Sequence, residues 1–210
     1  QEWFGCACCP PNIARLMASM GNYIYSKKEN AIFTHLYTDS EVVVDIDNNS
    51  VKLIQETDYP WDGKINITVN PENDGEFTLG FRIPGWSSTR RVKINNENVD
   101  LENVTENGYI KIKRNWKNGD QIYLEFPMEV KKMYSHPQVR MNSPKVSLQR
   151  GPIIYCLEEV DNGSNLPTIF LPEDSELDSS YKEDLLGGVT VIRGDALKID
   201  ESSNEKQLYT

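Results

Sequence analysis

The sequence predicts a mainly β protein with one N-terminal helix followed by β-sandwich domains. Three observations carry that prediction. Apolar residues recur at three- and four-residue spacing only between Pro11 and Tyr25. From there on, short runs alternate apolar and polar positions. Between these runs lie polar turn clusters such as Asn48-Asn49-Ser50 and Asn118-Gly119. A chain of 210 residues, 38% hydrophobic, is long enough for one large or two small domains, each with its own core.

The elements follow in order. Pro10 and Pro11 push the residues before them out of the α region, so the helix is expected to begin at about Pro11 or Asn12. Pro suits the first helical position and Asn suits the cap. Ile13, Leu16, Met17, Met20, Tyr23 and Ile24 then form one apolar face, and Gly21 weakens the last turn. Strands are expected at 32–37, 41–46, 51–56, 63–70, 76–83, 91–95, 109–113 and 121–126. Short, evenly spaced strands with polar turns describe a β-sandwich. The stretch 127–144 is less regular, and a boundary is placed near Glu129–Tyr134. A second β unit, smaller or truncated, follows with strands at 145–149, 152–158, 189–193 and 196–199. Residues 161–165 read as a loop, 172–184 as an exposed acidic stretch, and 201–210 as a polar, frayed end. The resulting division is 1–25, the helix with its cysteines; 26–130, a β-sandwich; and 131–210, the second β domain.

The chemistry is expected at the start of the chain. Trp3-Phe4-Gly5-Cys6-Ala7-Cys8-Cys9-Pro10-Pro11-Asn12-Ile13-Ala14-Arg15-Leu16 holds three of the four cysteines. Cys8 and Cys9 are expected just ahead of a helix N-terminus, where unpaired N–H groups and the helix dipole favour an anionic sulfur. That is the form in which cysteine attacks or binds metal. Adjacent cysteines cannot form a disulfide without strain. The spacing is not that of a zinc ribbon, which needs a second pair, and the cluster supplies at most three of the four ligands of a tetrahedral zinc. Spacing alone leaves a buried apolar role, a nucleophile and a metal ligand all open.

The same residues resemble the cysteine motif of glycoside hydrolase family 127, the β-L-arabinofuranosidases. Gly80-Phe81-Arg82-Ile83-Pro84-Gly85-Trp86, the segment 108–127 and Leu148-Gln149-Arg150-Gly151-Pro152-Ile153-Ile154-Tyr155-Cys156-Leu157-Glu158 are similar to that family's C-terminal half. The resemblance implies that Cys8 is the catalytic nucleophile and that Cys8 and Cys9 ligate a zinc ion; Cys6 receives no role. It also implies that a further cysteine, a glutamate ligand and the glutamate acid/base precede the motif, where this chain has only Gln1 and Glu2. The chain is therefore expected to be the C-terminal part of such an enzyme, inactive by itself, with 1–25 the last helix of an α/α barrel. Zinc would belong to the intact parent, with none expected in this chain alone. The chain begins without methionine, as such a part would. The implied partners are an arabinofuranoside substrate and a second copy bound through the β domains. The implied origin is bacterial, with cytoplasm and periplasm both open.

Composition excludes other classes. With 22 basic and 32 acidic side chains the net charge is −10, the wrong sign for phosphate neutralisation, so nucleic acid is not an expected partner. No apolar run approaches the ~20 residues of a membrane-spanning helix. Four cysteines in 210 residues do not make a disulfide scaffold, and Cys156 lies alone in an apolar strand.

Other candidates read as structural. His35, within a strand, and His136 are lone histidines. Glu158-Glu159 and Glu173-Asp174 are adjacent acids, and adjacency says nothing about facing across a sugar. Trp61, Trp86 and Trp116 flank turns, where they either plug the sandwich ends or stack on sugar rings. Arg150 reads as a structural guanidinium near a domain junction. Two alternatives to the enzyme stay open. One is a non-catalytic module for carbohydrate binding or domain packing. The other is a zinc-binding protein in its own right.

Overall fold

The computed structural model describes residues 8–47, 49–143 and 145–199. It is mainly β, and it divides into two compact units, Gln1–Pro127 and Met128–Thr210.

The first unit opens with helix α1 (Cys9–Ser19) and the single turn α2 (Gly21–Ile24). The helix starts earlier than the two prolines suggest. Pro10 and Pro11 occupy its first turn, where a missing N–H goes unnoticed because the first amides have no intrahelical partner. Cys8 is the N-cap and Cys9 the first helical residue, so both cysteines belong to the helix end rather than to a preceding loop. Asn12, expected as cap, instead reaches back one turn, its Nδ2 donating to Cys8 O at 2.7 Å. The break at Met20 falls beside Gly21, where Tyr23 N bonds Met20 O at 2.9 Å. The apolar stripe is largely uncovered: Ile13 is 62% and Met17 68% exposed, and no residue of α1 is buried. The chain enters the sandwich through Ile24, which is buried and whose carbonyl accepts from His35 N.

The sandwich has two sheets. One consists of β1 (Tyr25–Lys28), β2 (Ala31–Thr34), β6 (Gly75–Arg82), β9 (Thr105–Glu106) and β10 (Tyr109–Trp116), in the order β1-β2-β6-β10-β9. The other consists of β3 (Ser40–Ile46), β4 (Asn49–Thr57), β5 (Lys64–Pro71), β7 (Arg91–Ile94), β8 (Glu97–Asn98) and β11 (Asp120–Glu125), in the order β3-β4-β5-β11-β7-β8. The pairs are antiparallel except β2 with β6. Alternation sets the inner faces: Ile65, Ile67 and Val69 of β5 and Phe77, Leu79 and Phe81 of β6 are buried in a shared core with Ile110, Ile122 and Leu124. Trp116 is fully buried there and donates its Nε1–H to Phe77 O at 3.0 Å, so it cannot stack on a sugar. Strand β3 is an edge strand whose Glu41, Val43 and Asp45 face solvent.

The turn ahead of β11 is pinned by side chains. Asp120 accepts from Lys117 N (3.0 Å) and from Asn95 Nδ2 (2.8 Å), while Asn95 Oδ1 accepts from Gln121 N at 2.9 Å. Gly119, at φ 86°, supplies the left-handed residue this turn requires.

The second unit holds β12 (Val130–Tyr134), β13 (Val146–Arg150) and β14 (Ile153–Tyr155) in one antiparallel sheet. It also holds the short helix α3 (Glu159–Asn162) where a loop was expected, and two ladders. These pair β15 (Ile169–Phe170) with β18 (Leu197–Lys198) and β16 (Leu177–Lys182) with β17 (Val189–Gly194). Strand β16 lies inside the stretch read from sequence as exposed and acidic. Its half-buried positions are Leu177, Ser179, Ser180 and Lys182, with Tyr181 exposed, so no apolar alternation registers as a strand. Cys156 lies just past β14 and is exposed. Among the described residues of this unit no apolar side chain is fully buried.

Candidate functional site

Helix α1 presents two thiols at its N-terminus. Cys8 and Cys9 are both exposed, and their sulfurs lie 3.5 Å apart. No acidic side chain sits in the first turn, so the amides there and the helix dipole act on the sulfurs unopposed from within the helix. The described residues of this chain do not bury Cys8 or Cys9. Cys6 lies outside the described residues.

The pair suits a soft divalent ion in kind and in spacing. Two thiolates at ~2.3 Å from a tetrahedral zinc are held about 3.8 Å apart, close to the separation here. Among the described residues no group of three or more His, Cys, Asp or Glu side chains is placed to hold a metal ion.

The other sequence candidates do not converge on the cysteines. His35 lies one residue past β2, not within it. Its Nε2 is 2.7 Å from Ser26 Oγ and its Nδ1 2.7 Å from Tyr109 Oη. Burial, and then the Arg82 guanidinium, lowers its pKa. Its ring is parallel to that of Phe33, and both meet Tyr109 edge-on. Spacing could not find this cluster, because Ser26, His35 and Tyr109 come from separate strands and turns. His136 is exposed, and its Nδ1 accepts from Gln138 N at 3.3 Å. Trp86 and Tyr59 stack 6.5 Å apart and pack on Tyr37 and Phe126, which makes them a plug at one end of the sandwich. Trp61 is half-buried in the turn that follows Asp58. Arg150 ends β13 with its Nη1 3.7 Å from Met128 Sδ, a packing role within the second unit. Glu158 and Glu159 flank the start of α3.

Comparison with known proteins agrees with the motif. The profile described as "Beta-L-arabinofuranosidase, GH127 middle domain" matches residues 31–128. The one described as "Glycoside hydrolase family 127 C-terminal domain" matches residues 130–197. A curated relative, the non-reducing end β-L-arabinofuranosidase of Bifidobacterium longum subsp. longum, is 31% identical over 216 residues, covering 99% of this chain and 32% of its own. The crystal structure of a GH127 β-L-arabinofuranosidase from Geobacillus stearothermophilus T6 superposes with a TM-score of 0.93 at 55% identity, over 100% of this chain and 33% of that one. A second GH127 β-arabinofuranosidase structure superposes with a TM-score of 0.86 at 32% identity, over 94% of this chain and 33% of that one. The chain thus spans about a third of the length of each relative. Both β units and the cysteine helix are accounted for together, and the chain belongs to glycoside hydrolase family 127, of which it carries the middle and C-terminal domains.

Proposed function

We propose that this chain is the C-terminal part of a retaining β-L-arabinofuranosidase in which Cys8 is the nucleophile. The observation that carries the reading is the exposed Cys8–Cys9 pair, sulfurs 3.5 Å apart at the N-terminus of α1, in a chain of this family. In this reading α1 belongs to the last helix of an α/α barrel, and the uncovered stripe of Ile13, Leu16 and Met17 is what that barrel packs upon.

Cys8 Sγ attacks the anomeric carbon: a C–S bond forms as the C–O bond to the leaving group breaks, and the leaving oxygen takes a proton from a carboxylic acid. That acid, by resemblance, precedes the cysteine motif. Water then displaces sulfur, and the configuration is retained. Cys8 and Cys9 would hold a zinc ion, which when bound supplies positive charge that keeps the sulfurs deprotonated. Asn12 holds the Cys8 carbonyl from within the helix and so fixes where the thiol starts from.

Hydrolysis of a terminal β-L-arabinofuranoside by the enzyme that contains this chain tests the reading. Cys8→Ser is expected to lower kcat by about a thousandfold or more, and the 210-residue chain alone is expected to show no turnover. Full activity in Cys8→Ser would sink the proposal.

The exposed apolar side chains of the second unit, among them Ile154, Phe170 and Leu197, support a second copy as partner through the β domains. Sedimentation equilibrium is expected to return twice the monomer mass; a monomer at micromolar concentration rules this out. A non-catalytic sugar-binding module rests on Trp61 and Trp86 alone, and the packing of Trp86 into the sandwich end weighs against it.

A further inference from the structure

Three main-chain carbonyls in the second unit converge on one ammonium. Lys132 Nζ donates to Pro172 O at 3.1 Å, to Glu173 O at 2.6 Å and to Ser175 O at 2.9 Å. The ammonium has three N–H donors and no acceptor, so this set saturates it. Pro172–Ser175 is itself a closed turn, with Ser175 N bonded to Pro172 O at 3.2 Å. Carbonyl dipoles aimed at one point repel each other unless a positive charge sits there. The side chains nearby in sequence, Glu173, Asp174, Glu176 and Asp178, add negative potential of the same sense. Lys132 reaches the turn from β12, where it is half-buried and pairs with Leu148 of β13.

We propose that the 172–175 turn is a cage for a monovalent cation, filled by the tethered ammonium of Lys132. This contact latches the segment leading into β16 onto β12. Its ligand class is a cation of ammonium or potassium size, bound through oxygen alone. The inference is independent of the chemistry assigned to the cysteines. Withdrawing the charge frees the turn, and removing the whole side chain opens the cage to a free cation.

Amide hydrogen exchange on the complete chain tests this with Lys132→Met, which keeps the stem, and Lys132→Ala, which clears it. Each is measured in ammonium chloride and in tetramethylammonium chloride at equal ionic strength. Amides around Ser175 are expected to exchange about tenfold faster in both variants, the loss of charge-assisted hydrogen bonds. Ammonium, but not tetramethylammonium, is expected to slow exchange again in Lys132→Ala. Wild-type exchange in Lys132→Met overturns the role of the charge. Equal exchange of Lys132→Ala in the two salts overturns the cage. Should both variants unfold, the wild-type chain still decides the matter. The cage requires the Lys132 ammonium protons to exchange slowly enough to give a nitrogen-correlated signal near neutral pH. Exchange at the rate of an exposed lysine overturns it.

Discussion

His35 is a single ring that joins three segments, with Ser26 on one nitrogen and Tyr109 on the other. One of its nitrogens must accept and the other donate, or both donate once the ring is charged. Burial and the neighbouring Arg82 both disfavour the charged ring, so its folded pKa lies below the usual value of about 6.5. The sign follows. The unfolded chain binds the proton more readily, so the stabilisation is whole above about pH 6.5 and declines as pH falls from there through the lower folded pKa. The groups facing the ring are Ser26 of β1, Tyr109 of β10 and Arg82 of β6, and only Arg82 is charged at neutral pH. Between about pH 7.5 and 5 the thermal midpoint is expected to fall more steeply for the wild type than for His35→Gln. Parallel curves for the two would show that this histidine is not held neutral by the fold.

At the scale of elements, β2 and β6 meet through an aromatic ring laid against a glycine. Phe33 pairs across the parallel ladder with Gly80, and a Cβ on Gly80 would collide with Phe33 Cδ1 and sit 2.7 Å from its Cε1. Gly80→Ala must displace the ring or the strand, and is expected to destabilise by about 1–3 kcal/mol, as overpacking does. In a Phe33→Ala background the same change should be close to neutral. A penalty of equal size in both backgrounds, read from denaturant unfolding, would place the strain elsewhere.

The same scale shows what could be read from sequence. Strands β5, β6, β10 and β11 were legible because each buries one face, so Ile65, Ile67 and Val69, or Phe77, Leu79 and Phe81, alternate without interruption. Strand β16 is not legible, because its half-buried positions are Leu177, Ser179, Ser180 and Lys182, which do not alternate, and its surroundings are acidic. Helix α1 begins before the prolines, at Cys9, because a first helical turn tolerates proline and this outweighs the bias of the residue before proline away from the α region. The cysteines could be singled out by type and crowding. Their nearness to a helix N-terminus follows from the prolines and the apolar periodicity, whereas the 3.5 Å approach of the two sulfurs appears only in three dimensions. The Lys132 cage could not be read at all, since main-chain carbonyls carry no residue signature.

Taken whole, the chain distributes its apolar burial unevenly. The described residues of 1–127 include a continuous core of nineteen buried apolar residues, whereas those of 128–199 contribute none that is fully buried. Stability tracks such burial. Under native conditions the amides of β12 to β18 are expected to exchange with solvent faster, by about tenfold or more, than those of β5, β6, β10 and β11. Uniform protection across 24–199 would show that burial within each unit does not set its opening.

One feature of the sandwich bears on how copies of the protein meet. Strand β3 ends its sheet with a seven-residue edge rich in valine, a shape that invites another strand. Laid antiparallel against its own twin about Val43, it would set every Glu41 opposite an Asp45 of the other molecule, carboxylate against carboxylate. Lys52 of β4 already holds Glu41 at 2.7 Å, so the repulsion is partly offset, and the edge discourages rather than bars a continuous sheet running from one molecule into the next through β3.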